Sequence, residues 1–353
     1  MLSFFNSRLV FATLLLLATA TASARAQTPS NAADATPQTV AVILSGIGGD
    51  ADYEKIIDGW GKDLYSTLSA SGMTTSVSGV NSANLFWLAG KKQEGAYAES
   101  TKAEITKLFG TLAARLRSQD VLALYLIGHG SHDEYDYRFN MPGPDLTSAE
   151  IAALLAPLKA ERQLVVNMTS ASGGSIHDLR RKGRTLISST TAGQERNFSV
   201  FARYFVAGVQ DAGADADKNE AISALEAYRY AIREVTRYYE AAKRIATEHA
   251  VIEDKGDTDG VREPNAENGQ GLLAAAVTVR RLGKSSEALE TPEIQAARAK
   301  KRGIEEAIEQ LKYTKASLDT KEYAKKLEGF LLELARTQAA LDKMEEAAGA
   351  GAR

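Results

Sequence analysis

The sequence predicts an α/β fold in which helices flank a mostly parallel sheet, followed by a C-terminal helical hairpin. Apolar runs typical of buried strands alternate with segments whose apolar residues recur at helical spacing. Two of these runs, 121–127 and 163–167, flank a helical pattern at 147–159, which is the order of a parallel βαβ crossover. After residue 283 the charge density rises and glycine becomes sparse, which favours long helices over a further sheet.

The elements of the sheet domain can be predicted in chain order. Residues 40–45 have the composition of a buried strand, and the glycines at 46–49 turn the chain into a helix that ends near Ser69. Residues 81–97 show no period and are predicted to be irregular. The other predicted strands are 74–80, 121–127, 163–167 and 183–189, and the other predicted helices are 100–118, 147–159, 198–209 and 221–247. Together these elements predict one domain that spans residues 40–283.

The predicted hairpin covers residues 284–348. Asp319 and Thr320 form a helix cap between two apolar stripes. The stripes consist of Ile304, Ile308 and Leu311 on the first helix and of Tyr323, Leu327, Leu331 and Leu334 on the second. Two interpretations stay open: the hairpin packs on its own α/β domain, or it associates with a second copy of the chain as in a coiled coil. Residues 349–353 are expected to be disordered.

The first 26 residues have the features of a secretory signal. Arg8 supplies the positive charge, residues 9–20 form an apolar run, and residues 24–26 read as a small-x-small cleavage site. The apolar run is short for a membrane span, so no transmembrane segment is expected after removal of the signal. Residues 27–39 are rich in Ala, Thr, Pro and Asn and are expected to form a flexible leader. The chain is therefore expected to be exported across the inner membrane and to be periplasmic.

The composition argues against several kinds of site. The chain has 42 basic and 45 acidic residues and a net charge of −3, so it lacks the basic footprint of a nucleic-acid-binding protein. It contains no cysteine, which excludes disulfides, thiolate zinc sites and a cysteine nucleophile.

Two short motifs follow the two strands of the predicted crossover. Gly128-His129-Gly130-Ser131 follows the first strand, and residues 169–174, with the sequence Thr-Ser-Ala-Ser-Gly-Gly, follow the second. Because the carboxyl ends of neighbouring parallel strands share one edge of the sheet, we expect His129 and the loop around Ser170 to face each other across a cleft. A histidine in this position can act as a general base, and a glycine-rich turn can offer N–H groups to an oxyanion.

The two motifs resemble those of the caspase-like (clan CD) cysteine peptidases, and most closely the legumain and glycosylphosphatidylinositol-transamidase branch, the C13 type. This resemblance implies a caspase/legumain-like fold for the α/β domain. It implies that His129 is the catalytic histidine and that Ser170 occupies the position of the nucleophilic cysteine. Gly130, Ser172 and Gly173 would then line the oxyanion and cleft region.

Other segments are similar to bacterial proteins of the same branch. They are 45–50, 140–145, 247–249 and 253–257. The resemblance therefore extends over about residues 40–283 and leaves the hairpin outside.

Serine at the cysteine position changes the expected activity. A serine hydroxyl is more basic than a thiol and depends on a base that takes its proton during attack. We therefore predict an inactive homologue that binds a peptide or protein partner in the old active-site cleft and requires no cofactor. The alternatives are a peptide hydrolase that uses Ser170 or Ser172 with His129, and a structural role unrelated to the cleft. The carboxylates that could orient His129 in the hydrolase are Asp133, Glu134 and Asp136.

Residues 215–226 match the spacing of a calcium-binding EF-hand loop. Oxygen-bearing side chains occupy loop positions 1, 3, 5, 9 and 12. These residues are Asp215, Asp217, Asn219, Ser223 and Glu226. Glu220 stands where the pattern has glycine, which should weaken or distort the loop. Calcium binding and a simple helix cap are therefore both open interpretations.

The remaining charged and histidine residues give weaker signals. His132 is expected at the cleft rim, His177 at the surface, and His249 as a hydrogen-bonding group of the cleft or core. The acidic residues 254–259 are expected to form a solvated loop. The charged candidates for peptide specificity are Arg184, Glu195 and Arg196.

Overall fold

The structure is a computed structural model that describes residues 37–69, 80–265, 267–282, 292–313, 315 and 318–351. Its strands are β1 (Thr39–Ser45), β2 (Val80–Ala89), β3 (Ala98–Glu99), β4 (Val121–Gly128), β5 (Gly130–His132), β6 (Tyr137–Phe139), β7 (Leu146–Thr147), β8 (Arg162–Thr169), β9 (Arg184–Ser188), β10 (Ala221–Ser223), β11 (Val251–Glu253) and β12 (Thr278–Arg281). Seven of them form the central sheet in the order β11-β9-β8-β4-β1-β2-β3. Only β11 runs antiparallel to its neighbour in this sheet, so the predicted mostly parallel α/β fold is confirmed.

Helices cover both faces of the sheet. They are α1 (Ala51–Ser69), α2 (Lys102–Arg115), α3 (Ser148–Leu155), α4 (Ile176–Leu179), α5 (Phe201–Gln210), α6 (Ala224–Ala241), α7 (Leu272–Ala276), α8 (Pro292–Tyr313) and α9 (Thr320–Gly351). One apolar cluster joins the sheet to α1, α5 and α6, and a second joins the opposite face to α2, α3 and α4. Within the described ranges, no helix is long and apolar enough to cross a membrane.

Strand β4 lies at the centre of the sheet because its side chains are apolar on both faces. Tyr125 and Ile127 enter the first cluster, whereas Leu124 and Leu126 enter the second. Its neighbour β8 is parallel, with Gly128 paired to Thr169 at the carboxyl edge. The residues that follow this pair are His129 and Ser170, so the predicted crossover brings both motifs to the same edge.

The second strand of the sheet differs from the prediction. Residues 81–97 were predicted to be irregular, but β2 occupies 80–89 beside β1. Trp87 and Leu88 are fully buried on opposite faces, and the Trp87 indole N–H donates to Ser45 Oγ at 3.1 Å. The segment begins with the mostly polar residues Asn-Ser-Ala-Asn at 81–84, so its sequence does not have a strand pattern, and the strand is stabilised by tertiary packing. The strand predicted at 74–80 falls outside the described residues except for Val80.

The C-terminal helices pack against each other as a hairpin, and α7 also contacts α8. Ile304, Ile308 and Leu311 are buried, and the Asp319 carboxylate accepts a hydrogen bond from the Lys321 N–H at 2.8 Å. The helix α9 continues to Gly351, although residues 349–353 were expected to be disordered; its alanine-rich end favours helix. Residues 352–353, 283–291 and the predicted signal and leader up to residue 36 lie outside the description.

Candidate active site

His129 follows β4 and lies among aromatic rings. Its ring makes an edge contact with Tyr53 at 5.4 Å between centroids and a tilted contact with Phe198 at 5.1 Å. Burial lowers the pKa of His129, and this outweighs the opposing effects of a hydrogen bond to the Gly48 backbone and of the Asp50 charge. The imidazole is therefore neutral at neutral pH, which is the state that a general base requires.

Ser170 lies beneath the surface and is 1% exposed. Its hydroxyl donates to the Gly130 carbonyl oxygen at 3.0 Å and accepts a hydrogen bond from the Gly130 N–H at 3.1 Å. Among the described residues, no hydrogen bond joins Ser170 to His129. The two predicted site residues thus follow adjacent strands, but the serine proton points to a main-chain carbonyl instead of the imidazole.

Gly130 is required by the close approach of the two site loops. A Cβ atom at this position would overlap the Ser170 carbonyl oxygen, and it would lie 2.6 Å from the Tyr137 ring and 2.7 Å from Thr169 Oγ1. No side chain fits between these groups. The glycine after His129 therefore has a steric reason in this fold.

The loop after Ser170 is braced from behind by hydroxyl groups. Ala171 adopts a left-handed conformation with φ of 56°, and a short 3₁₀ helix follows at Ser172–Ser175. The buried Ser172 hydroxyl contacts the Ser188 hydroxyl at 2.9 Å, and the Gly173 N–H donates to Thr190 Oγ1 at 2.8 Å. Ser172 and the Gly173 N–H thus serve the loop's own structure.

The carboxylates that sequence reasoning placed near His129 bind elsewhere. Arg138 pairs with Asp133 at 2.5 Å and contacts Asp136 at 3.4 Å. The Asp136 N–H and Arg138 hold the pKa of the Asp133 carboxyl well below its usual range. Glu134 is exposed on the same hairpin.

The groups that do act on His129 are the Gly48 backbone and Asp50. Sequence reasoning missed both as site residues. The position of the Ser45–Asp50 segment could have indicated them. This segment follows β1, which pairs with β4 on the side opposite β8, so it reaches the same edge of the sheet as His129.

The remaining histidines have distinct environments. The His132 ring is wedged between Gly174 and Gly193, where a Cβ on either glycine would overlap it. His177 is exposed beside Asp178. His249 Nδ1 lies 2.7 Å from Glu195 Oε1.

The 247–249 segment forms hydrogen bonds with the loop that follows β9, and that loop in turn contacts the Ser170 loop. Glu248 is 3% exposed and accepts hydrogen bonds from Ser199 Oγ at 2.5 Å, from the Val200 N–H at 2.9 Å and from the Tyr239 hydroxyl at 3.1 Å. In the same loop, the Glu195 carbonyl accepts a hydrogen bond from the Ala171 N–H at 2.8 Å. The segment that resembled the peptidase branch therefore supports the Ser170 loop from the side.

Two expectations about charged residues are corrected. Arg184, a candidate for peptide specificity, is buried and donates to Gln163 Oε1 at 3.0 Å, and burial lowers its pKa to about 10. The acidic residues 254–259 were expected to form a solvated loop; Asp257 and Asp259 are exposed, but Asp254 is buried and accepts hydrogen bonds from the Leu273 and Ala274 N–H groups at the start of α7. In both cases a buried charged side chain is held by hydrogen bonds to residues about 20 positions away in sequence.

The predicted calcium loop brings three of its acidic side chains together. Asp215, Asp217 and Glu226 have carboxylate oxygens within 4.8 Å of one another. Glu220 adopts the left-handed φ of 62° that glycine would normally supply, so the sharp turn forms at some cost in strain. Glu226 accepts hydrogen bonds from the Ala216 N–H at 2.8 Å and the Ser223 N–H at 2.9 Å, the second as part of a capping box. The Asn219 N–H donates to Asp215 and Asp217.

The cap and calcium interpretations of this loop predict different responses. We expect Glu226→Ala to lower the free energy of unfolding by about 1–2 kcal/mol, equally with and without a chelator, because a capping box is lost. Thermal unfolding of both proteins in calcium and in chelator measures this. If a chelator lowered the melting temperature of the wild type but not that of Glu226→Ala, calcium binding would be favoured instead.

Comparison with known proteins agrees with this architecture. Residues 104–256 match the model of the Peptidase C13 family. The matched range begins in α2, ends just after β11 and includes both His129 and Ser170. No curated protein matches the chain. This match supports a legumain- or caspase-like peptidase fold for the part of the α/β domain that it covers.

Proposed function

We propose that this protein is an exported, catalytically inactive member of the Peptidase C13 family that binds a peptide or protein partner in a cleft between His129 and the Ser170 loop. One observation carries the proposal. The Ser170 hydroxyl donates a hydrogen bond to the Gly130 carbonyl oxygen at 3.0 Å, and Ser170 is nearly fully buried. A serine nucleophile needs a base within hydrogen-bond reach, and a carbonyl oxygen is not such a base.

The composition supports the same proposal. The chain contains no cysteine, so no thiol elsewhere can replace the missing nucleophile. In the hydrolase alternative, Ser170 would have to leave Gly130 and reach His129. Ser172 is a weaker nucleophile candidate because its hydroxyl is fully buried among Ser188, Ser189 and Thr190.

A binding role is supported by the way in which His129 and the Ser170 loop are held at the edge of the sheet. His129 is held by aromatic rings and by the Gly48 backbone, and the Ser170 loop is braced by buried hydroxyls. An edge braced in this way can recognise an extended peptide without a chemical step, because recognition needs shape and hydrogen-bonding groups only.

Peptide profiling tests this proposal. The protein is recovered from the periplasmic fraction, and its mass shows whether residues 1–26 have been removed. It is then incubated with a diverse peptide pool, and the peptides are analysed by mass spectrometry. We expect no cleavage by the wild type or by Ser170→Ala. We expect cleavage by Ser170→Cys, because a thiol ionises far more readily than a hydroxyl.

Two results would contradict parts of the proposal. Cleavage by the wild type that is lost in Ser170→Ala would establish a serine-dependent hydrolase. Retention of the protein in the cytoplasm with residues 1–26 intact would contradict export.

A further inference from the structure

Near His129, the start of α1 carries a carboxylate, Asp50, and a partly exposed aromatic ring, Tyr53, that are joined through the Tyr53 N–H. Asp50 caps α1, and its Oδ1 accepts hydrogen bonds from the Asp52 and Tyr53 N–H groups, each at 3.0 Å. Within the described part of the chain, Oδ2 of Asp50 has no hydrogen-bond partner. Tyr53 is 37% exposed and contacts the His129 ring, and Asp50 is close enough to act electrostatically on the same ring.

A carboxylate beside an exposed aromatic ring is a recognised arrangement for binding a cationic side chain. The carboxylate supplies the opposite charge, and the negative face of the ring adds a cation–π attraction. A carboxylate-bearing or apolar ligand gains neither contribution. The chemistry at this point of the cleft therefore selects for Lys or Arg.

The whole edge of the sheet that carries His129 and Ser170 has a net negative charge. The segments that follow the parallel strands β1, β2, β4, β8 and β9 are 46–54, 90–97, 129–147, 170–178 and 189–200. They hold ten acidic and four basic residues, a net charge of −6, whereas the whole chain carries −3. Two of the four basic side chains are already paired within the edge, Lys91 with Glu54 and Arg138 with Asp133. A cationic ligand would be attracted to this edge from a distance and an anionic one repelled.

We propose that the cleft binds a peptide segment whose lysine or arginine side chain lies between the Asp50 carboxylate and the Tyr53 ring, beside His129. This inference rests on the proposed peptide-binding function and specifies the chemistry of the peptide. Asp50 and Tyr53 act as specificity residues, since neither takes part in a bond-making step.

Fluorescence anisotropy with three labelled peptides tests the inference. Each peptide has eight residues of glycine and serine with two central lysines, two central glutamates or two central leucines. We expect the lysine peptide to bind most tightly and to weaken with added salt, because exposed charges are screened. Asp50→Asn should weaken the lysine peptide about two- to fivefold. Asparagine caps a helix as well as aspartate does, so α1 keeps its start while the charge is lost.

Matched controls separate charge from folding. Tyr53→Leu removes the ring and should also weaken the lysine peptide about two- to fivefold. Asp63→Asn removes an exposed charge farther along α1 and should leave binding unchanged. A titration of the His129 ring by NMR adds a readout without ligand. The pKa of His129 should fall in Asp50→Asn and stay the same in Asp63→Asn, because the Asp50 charge raises it.

The outcomes distinguish this inference from the function on which it rests. Equal binding of all three peptides would overturn the charge preference and leave peptide binding intact. Binding of the lysine peptide that is unchanged in Asp50→Asn would overturn the assignment to Asp50. Failure of all three peptides to bind would overturn peptide recognition by the cleft and the inference with it.

Discussion

Replacement of Gly130 by alanine is expected to lower the free energy of unfolding by about 3 kcal/mol, because the added methyl group has no space between the two site loops. The nearest obstacle is the Ser170 carbonyl oxygen, which is backbone of the adjacent strand end and cannot rotate away. The Tyr137 ring, at 2.6 Å from the new atom, is itself fully buried. The methyl group can therefore be accommodated only if β5 moves away from β8.

Chemical denaturation measures this effect, and Gly59→Ala supplies the matched control. Gly59 lies within α1, and a Cβ atom there would meet nothing within 4 Å. Alanine is a better helix former than glycine, so the control should gain about 0.5–1 kcal/mol. The same substitution is thus expected to change stability in opposite directions at two positions.

A second consequence concerns the site itself. Movement of Gly130 would break both hydrogen bonds to the Ser170 hydroxyl, so binding of the lysine peptide should fall with stability. A Gly130→Ala protein as stable as the wild type would contradict the close approach of Gly130 to the Ser170 carbonyl oxygen.

The arrangement of the sheet could be predicted from sequence where strands are apolar on both faces. Strands β4 and β8 read as continuous apolar runs, and the helical pattern between them fixed their parallel order. Strand β2 could not be read in this way. Its first residues are polar, and what makes it a strand is the burial of Leu85, Trp87 and Leu88 against elements distant in sequence.

The contacts of the site were harder to predict than its location. Strand ends indicated that His129 and Ser170 follow neighbouring strands, which the pairing of Gly128 with Thr169 confirms. The direction of the Ser170 proton could not be predicted, since it depends on differences of a few tenths of an ångström between possible acceptors. Ser199, one of the hydrogen-bond partners of Glu248, is 49 residues away from it in sequence, and no local pattern reports such a pairing.

Loss of the Glu248 carboxylate is expected to have a similarly large effect. Glu248→Ala would leave the Ser199 hydroxyl and the Val200 and Phe201 N–H groups at the start of α5 without their acceptor. Buried polar groups without partners are costly, so we expect a loss of about 3 kcal/mol in the free energy of unfolding. Glu248→Gln keeps one acceptor oxygen and should lose less. Denaturation of the three proteins side by side measures the difference.

The pH dependence of this loss of stability tests whether burial or hydrogen bonding sets the pKa of the Glu248 carboxyl group. Burial raises the pKa of Glu248 above its ordinary value of 4.5, although four hydrogen-bond donors oppose the shift. A raised pKa means that the folded state holds the proton more tightly than the unfolded state. The stabilising contribution is therefore fully present below pH 4.5 and is lost as the pH rises through the folded-state pKa.

The stability advantage of the wild type over Glu248→Gln should accordingly shrink as the pH rises from 4.5 to neutrality. Glutamine does not titrate, so the comparison isolates this one carboxyl group from the other acids of the chain. An advantage that grows over the same range would show that the four donors outweigh burial and lower the pKa. Glu248 would then fasten the loop behind Ser170 as an anion, and acid would loosen that loop instead of tightening it.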